Sequence, residues 1–285
     1  MPIVFAKPVL PPVWDISTCN FVSSYSLTGE AERPMGMDFN NDGTKAYIVS
    51  DQNNAVEQFS LSTPYVFSSG SVTHDVGEEL DISAETTGPQ GGAFSTQGDF
   101  YHLIAITGVN NPGRRVNQYD LTADWDISTG NYNGAFYQVN NTINGASDLA
   151  SPAGLTFSDD GARMFVTDGG TGGINGIYQF DLGVHWNITT AVYNGVMVTA
   201  ELGANGYSGI KFSPNGMQMF VTQRGGADVI RYDLSQAWNI ATATYVPPEC
   251  DASDDSFIMG LAFNPDGTEM YVCGFANNII SKYTL

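Results

Sequence analysis

The sequence predicts an all-β protein, a five-bladed β-propeller whose last blade is closed by its own N-terminal strand. Three observations carry that expectation. A Gly-x-x-Phe strand with a glycine-ended turn recurs five times, each copy continues to an aromatic-x-Leu strand and an aromatic residue, and the fifth copy lacks a piece that stands at the start of the chain.

The first strands read Gly36-Met37-Asp38-Phe39, Gly91-Gly92-Ala93-Phe94, Gly154-Leu155-Thr156-Phe157, Gly209-Ile210-Lys211-Phe212 and Gly260-Leu261-Ala262-Phe263. Four residues after each phenylalanine stands a glycine: Gly43, Gly98, Gly161, Gly216 and Gly267. The intervening Asn-Asn-Asp, Ser-Asp-Asp, Ser-Pro-Asn and Asn-Pro-Asp segments are type I turn chemistry ending in a left-handed residue, so each repeat opens as a hairpin. Second strands follow at Ala46–Val49, Met164–Thr167, Met219–Thr222 and Met270–Val272, with the copy around Tyr101-His102-Leu103-Ile104 the least regular. Third strands end in Phe59-Ser60-Leu61, Tyr119-Asp120-Leu121, Phe180-Asp181-Leu182, Tyr232-Asp233-Leu234 and Tyr283-Thr284-Leu285. Four residues beyond the leucine come Tyr65, Trp125, Trp186 or Trp238, and then a fourth strand. Four antiparallel strands per unit, repeated radially, are propeller blades.

The fifth unit stops at Leu285 after its third strand. Trp14-Asp15-Ile16-Ser17-Thr18 and the strand through Leu27 supply the missing part, which places the two ends of the repeat array in one blade and leaves the ring no free edge. The domain reading is an arm over residues 1–12 and one propeller over 13–285.

Phe263-Asn264-Pro265-Asp266-Gly267-Thr268-Glu269-Met270-Tyr271-Val272 resembles the YVTN-type and lactonase-like propeller repeats, and the Trp-Asp-Ile-Ser-Thr segments look like those of repeat proteins of marine phage and bacteria. The resemblance covers residues 13–285 and implies the fold. Lactonase-like members usually carry seven blades, so their activity is not expected to carry over. No segment resembles the catalytic stretches of the arabinanase- or invertase-related five-bladed glycosidases.

Thirty acidic residues against ten basic ones give a net charge of −20, which repels phosphate backbones and argues against nucleic acid as a partner. No apolar run of about 18 residues exists, so no membrane insertion is expected, and the first residues lack the basic and apolar regions of a signal peptide. Cys19, Cys250 and Cys273 lack metal-ligand spacing, and the expectation is that they are buried free thiols. His74, His102 and His185 fall in different blades without zinc-hydrolase spacing, and Gly206-Tyr207-Ser208-Gly209 lacks the nucleophile-elbow pattern, so no catalytic residue is assigned. The glycine-rich stretch 169–176 lies between two strands of a hairpin and reads as a flexible connection. Asp42, Asp160 and Asp266 read as turn residues, and the tryptophans as seals over joints between strands or blades, with glycan stacking as the alternative. Asp38 and Lys211 share one slot of the innermost strand and are expected to pair across the central channel.

The second-to-third-strand loops and the blade-to-blade connections emerge on one face and vary, whereas the opposite face carries uniform turns. Binding normally resides on variable loops held by a rigid scaffold. On the variable face Glu78, Glu79, Asp251, Asp254 and Asp255, within a longer acidic set, are the ligand-binding expectations for cations or a basic partner, with Ca2+ as the metal such acids suit and no obligatory cofactor. Arg114, Arg115 and Arg224 are local exceptions able to hydrogen-bond sugars or carboxylates.

Low lysine content and abundant small polar residues suit an extracellular protein, yet no secretion signal is visible; a virion protein satisfies both. The functional expectation is a non-enzymatic bacteriophage structural accessory protein, a decoration, tail or fibre component located in the virion or outside cells. It would contact other virion subunits through residues 1–12 or a propeller face and bind host-surface glycans. A free lectin-like propeller and a two-carboxylate glycoside hydrolase are the alternatives.

Overall fold

The computed structural model describes residues 14–108, 113–139, 149–170, 175–199 and 206–285. It is all-β, with five antiparallel sheets around one axis. Blade 1 runs outward through Pro34–Phe39, Lys45–Ser50 and Ala55–Leu61, and its outer edge is split between Val72–His74 and Leu80–Asp81. Blade 2 comprises Thr86–Phe94, Phe100–Gly108, Arg115–Leu121 and Gly130–Gln138, so the segment least regular in sequence is an ordinary second strand. Blade 3 comprises Pro152–Phe157, Arg163–Asp168, Gly176–Leu182 and Ala191–Thr199. Blade 4 comprises Tyr207–Phe212, Gln218–Gln223, Asp228–Leu234 and Ala243–Asp251. Blade 5 takes Ile258–Phe263, Glu269–Gly274 and Ile279–Thr284 from the end of the chain, and its outer strand is Asn20–Ser26 from the beginning. Asn20 faces Thr284 and Ser26 faces Ile279, which confirms the closure expected from the repeats. The 1–12 arm and residues Asp148 and Glu201 lie outside the described residues, as do parts of the glycine-rich stretch.

The repeated glycines mark where backbones meet at the axis. A Cβ on Gly36 would stand 3.1 Å from Gly91 Cα, one on Gly91 2.8 Å from the Ala153 carbonyl, one on Gly209 2.6 Å from the Met259 carbonyl, and one on Gly260 2.8 Å from Gly36 Cα. Gly154 faces the Ser208 carbonyl as closely. Five inner strands can converge this tightly only where side chains are missing. The void left at this level is about 10 Å3, the space of a single water.

Hydroxyls fasten the same ring. Thr167 Oγ1 accepts from Gly154 N–H and donates to the Ser208 carbonyl of the next blade, and Thr222 links Gly209 N–H to the Met259 carbonyl in the same way. In blade 5 Cys273 takes the threonine's place, and its Sγ accepts from Gly260 N–H at 3.1 Å.

The tryptophans answer to the turn glycines. Trp14, Tyr65, Trp125, Trp186 and Trp238 all hold positive φ, between 58° and 67°, and each ring lies where a Cβ on Gly267, Gly43, Gly98, Gly161 or Gly216 would be. Each backbone N–H donates to the carbonyl of that glycine, 2.9–3.3 Å away. That Trp14 does so with Gly267 places the N-terminal segment in blade 5 independently of strand pairing. Each of these rings also meets the first-strand phenylalanine of its blade, as Trp125 meets Phe94 at 4.9 Å, and that phenylalanine meets an aromatic of the preceding blade, here Tyr47 at 4.5 Å. The expectation of sealed joints is met. Where the chemistry allows, the second strand also bonds the next blade's tryptophan-site carbonyl: Tyr47 to Trp125, His102 to Trp186, Arg163 to Trp238 and Tyr271 to Tyr65.

One expectation is overturned. Cys19 and Cys250 are not free thiols; they form a disulfide, with Cα atoms 5.8 Å apart at a sequence separation of 231. Cys19 follows the Trp-Asp-Ile-Ser-Thr segment and Cys250 lies in the outer strand of blade 4, so the bond joins the closing segment to the neighbouring blade. Sequence distance concealed the pair, because adjacency arises only after the ring closes. Cys273 is free and buried as expected, and burial pushes its thiol up to about 12.

Candidate functional site

Each blade presents its hairpin turns and its Leu-to-Trp connections on one face, and its second-to-third-strand turns and blade connections on the other. The turn face is uniform because its side chains are committed. Asp42 Oδ1 accepts from Thr44 N–H, Asp160 Oδ1 from Ala162 N–H and Asp266 Oδ1 from Thr268 N–H, so these aspartates hold turns. On this face a cavity of about 100 Å3 opens between Trp14, Asp38, Lys211, Phe212, Ala262 and Phe263. Lys211 Nζ reaches Asp38 Oδ1 at 2.9 Å, joining blades 1 and 4 across the axis as expected.

The loop face is where the blades differ, and on blades 4, 5 and 1 it carries a continuous row of side chains. Arg33 ends the connection into blade 1, Phe275 opens the second turn of blade 5, Phe257 ends the connection into blade 5, and Arg224 opens the corresponding turn of blade 4. The Arg33 guanidinium lies 5.1 Å from the centre of the Phe275 ring, Phe275 meets Phe257 edge to face at 5.4 Å, and the Arg224 guanidinium lies 5.6 Å from Phe257. Phe257 is 36% exposed and the Arg33 side chain 50% exposed.

Asp255 fixes this row. It is 2% exposed, and its carboxylate accepts from Phe257 N–H at 2.8 Å, Ala276 N–H at 3.2 Å and Asn277 N–H at 2.7 Å. Phe275 N–H donates to the Phe257 carbonyl at 2.9 Å. Both aromatic loops are therefore tied to one buried anion. Arg33 is held at φ 54°, and its N–H donates to Asn278 Oδ1 at 2.8 Å. A residue other than glycine persists in the left-handed region only where its surroundings enforce it.

The two arginines differ in charge balance. Arg33 pairs with Asp51 at 3.1 Å. Arg224 has no carboxylate partner among the described residues; its Nη1 donates to the Gly169 carbonyl at 3.4 Å. Burial holds the Arg224 pKa below its ordinary value. Among the described residues its guanidinium is therefore satisfied by one backbone carbonyl and the Phe257 ring, with no carboxylate in reach.

The other residues singled out in the sequence separate into several places. Asp254 accepts from the Tyr283 hydroxyl at 2.6 Å, and exposed Asp251 accepts from Ser253 N–H at 3.0 Å. Asp228 lies opposite Asp251, and burial together with Asp251 and Glu249 raises its pKa. Glu78 and Glu79 are exposed between the two outer-edge strands of blade 1, far along the chain from the row, and Glu79 accepts from Gly77 N–H at 2.8 Å. Arg114 and Arg115 belong to blade 2. Arg115 is buried, donates to the Glu85 carbonyl at 2.8 Å and lies over Phe136 at 5.3 Å, so it braces a blade connection. Of the eight, Arg224 and Asp255 meet through Phe257. Sequence reasoning missed Arg33, Phe257 and Phe275, although aromatics or arginine stand there at loop positions where other blades have Ser151 and Gly206, or Gly169.

No family model matches the chain, and no curated protein matches it. Solved structures do. A luciferin-regenerating enzyme is similar over 92% of this chain and 95% of its own, at 13% identity and TM-score 0.55. The Swd1 β-propeller domain of Myceliophteria thermophila matches over 94% and 99%, at 8% identity and TM-score 0.54. A putative 6-phosphogluconolactonase from Bacteroides uniformis matches at 20% identity and TM-score 0.49 over 85% of this chain, which spans 64% of that protein's length. At such identities the likeness concerns the fold alone. The class defined is the β-propeller, here with five blades.

Proposed function

We propose that this propeller is a non-enzymatic binding module that works outside the reducing cytosol and uses its loop face to bind surface glycans, as an accessory component of a virion. The observation that carries the reading is the contrast between the faces. Turn-face side chains are spent on holding turns and joints, whereas the loop face carries a braced row of arginines and phenylalanines, in which Phe275 rests on the core while Phe257 and the Arg33 side chain stay exposed. Arginine and aromatic residues are the side chains that dominate binding surfaces.

The disulfide supports the compartment, since such bonds persist in oxidising surroundings, virion surfaces included. A low-lysine, glycine- and serine-rich composition agrees with it. The carboxylates nearest the row favour binding over hydrolysis: Asp255 is buried on three amides, Asp51 is paired with Arg33 and Asp254 is occupied by Tyr283.

The test is a glycan array probed with the purified chain, with reducing-sugar release measured on the glycans that bind. Retention of intact glycans is expected. Release of reducing ends would replace the reading with a hydrolase, and an array without any retained glycan would end it. Mass spectrometry of purified particles checks the virion assignment, which fails if the chain is missing from them.

A further inference from the structure

We propose that the Arg33–Phe275–Phe257–Arg224 row is a receptor for the carboxylate of an acidic sugar, with Arg224 as the group that binds the anion. The inference rests on the glycan-binding reading and names the class of glycan. Guanidinium and carboxylate match as two parallel hydrogen bonds, and a carboxylate is the partner Arg224 lacks among the described residues. The rings act as braces: each arginine lies against a phenylalanine, and the two phenylalanines lie against each other. Because Asp255 ties both phenylalanine loops to its buried carboxylate, the row is held in place before any ligand arrives, which removes an ordering cost from binding.

Charge decides which acidic ligands qualify. Arg33 is neutralised by Asp51, so among the described residues Arg224 is the row's one cation without a carboxylate, in a molecule whose net charge is −20. A polyanion such as a sulfated glycan gains one contact and meets repulsion from the rest of the surface. A glycan carrying isolated uronic or nonulosonic acid residues gains the same contact with little of that repulsion.

The experiment compares methyl glycosides of glucuronic acid, galacturonic acid and N-acetylneuraminic acid with their carboxyl-reduced counterparts. Binding is followed by amide chemical shifts and calorimetry on the wild-type chain and on Arg224→Met and Arg33→Met, with sodium acetate as the probe for carboxylate alone. At least one acidic glycoside is expected to bind at least tenfold more tightly than its reduced form, to shift the amides of Phe257, Phe275 and Arg224, and to lose at least tenfold in Arg224→Met while the melting temperature holds. Equal affinity for acid and alcohol, or an undiminished Arg224→Met, overturns the proposal and leaves glycan binding standing. Array hits without shifts in the row do the same. Acetate binding as tightly as the glycosides overturns the sugar and keeps the anion site. If no glycoside binds and the array is empty, both readings fall. Arg224→Lys serves where the methionine variant does not fold, and a carboxylate held by the guanidinium fork weakens there too.

Discussion

A single methyl group at position 209 tests how the axis is closed. On Gly209 it would come within 2.6 Å of the Met259 carbonyl, a backbone atom fixed by the next blade. Gly209→Ala is expected to destabilise the fold by about 1–3 kcal/mol, as overpacking of a tight interior does. Gly183→Ala is the control, since its nearest neighbour would be 3.7 Å away, and a melting curve separates them. His102 is the second residue-scale test. It is fully buried in the slot that Tyr47, Phe165, Phe220 and Tyr271 fill elsewhere, and its Nε2 lies 3.1 Å from the Trp186 carbonyl. Burial pushes its pKa from 6.5 down to about 4, so the folded protein holds the ring neutral where the unfolded chain protonates it. Its contribution is complete above pH 6.5 and is lost as pH falls towards 4, an effect of about 3 kcal/mol at most. His102→Phe, the choice of blades 3 and 4, should flatten stability against pH across that window. A slope unchanged by the substitution would show that other groups produce it.

The elements that join the blades explain why the chain needs its fastenings. Each joint combines a glycine contact at the axis and an aromatic triad on the turn face, and three of the five add a glutamine nearer the rim. Gln58, Gln118 and Gln179 accept from the backbone N–H of Ile127, Ile188 and Ile240 in the following blade, at 3.2–3.4 Å. Blade 4 has Arg231 in that slot, reaching Asp15 at 3.4 Å, and the disulfide reinforces the same joint. This is the seam between blade 4 and the N-terminal segment that completes blade 5. Replacing Cys19 and Cys250 by alanine should cost about 2–4 kcal/mol, because the bond closes a long loop in the unfolded chain. Denaturant melts in oxidising and reducing buffer check it. An intact chain should expose no reactive thiol until it unfolds, since Cys273 is buried and its thiol is held protonated.

At the scale of the whole molecule, strand Asn20–Ser26 covers Ile279–Thr284 of blade 5, the third-strand edge that the other blades cover with their own fourth strands. A chain beginning at Leu27 should lose its single cooperative transition and self-associate through Ile279–Thr284. A peptide spanning residues 14–26, added in trans, should restore the monomer and the transition. Size-exclusion chromatography and thermal melts read both outcomes, and a truncated chain that melts like the intact one would show the ring to be stable without the strand. The charge of −20 sits on a frame with few ion pairs, so solubility and partner choice depend on it more than folding does.

The repeat alone determined the blades, their number and the closing strand. Gly-x-x-Phe, the turn glycines and the tryptophans are local requirements that each blade repeats, and recurrence exposes them. The Asp38–Lys211 pair was legible for the same reason, because equivalent slots converge on an axis. Tertiary structure decided whatever depends on one blade meeting another without repetition. Cys19 and Cys250 become neighbours only when the ring closes, and Arg33, Phe275, Phe257 and Arg224 come from four separate loops that nothing in the sequence links. Asp255 reads as one free acid among many along the chain, and only the fold buries its carboxylate against three amides. A repeat is written in the chain because each copy faces the same physics; a site that breaks the repeat has no second copy to reveal it, and only the folded loops bring it together.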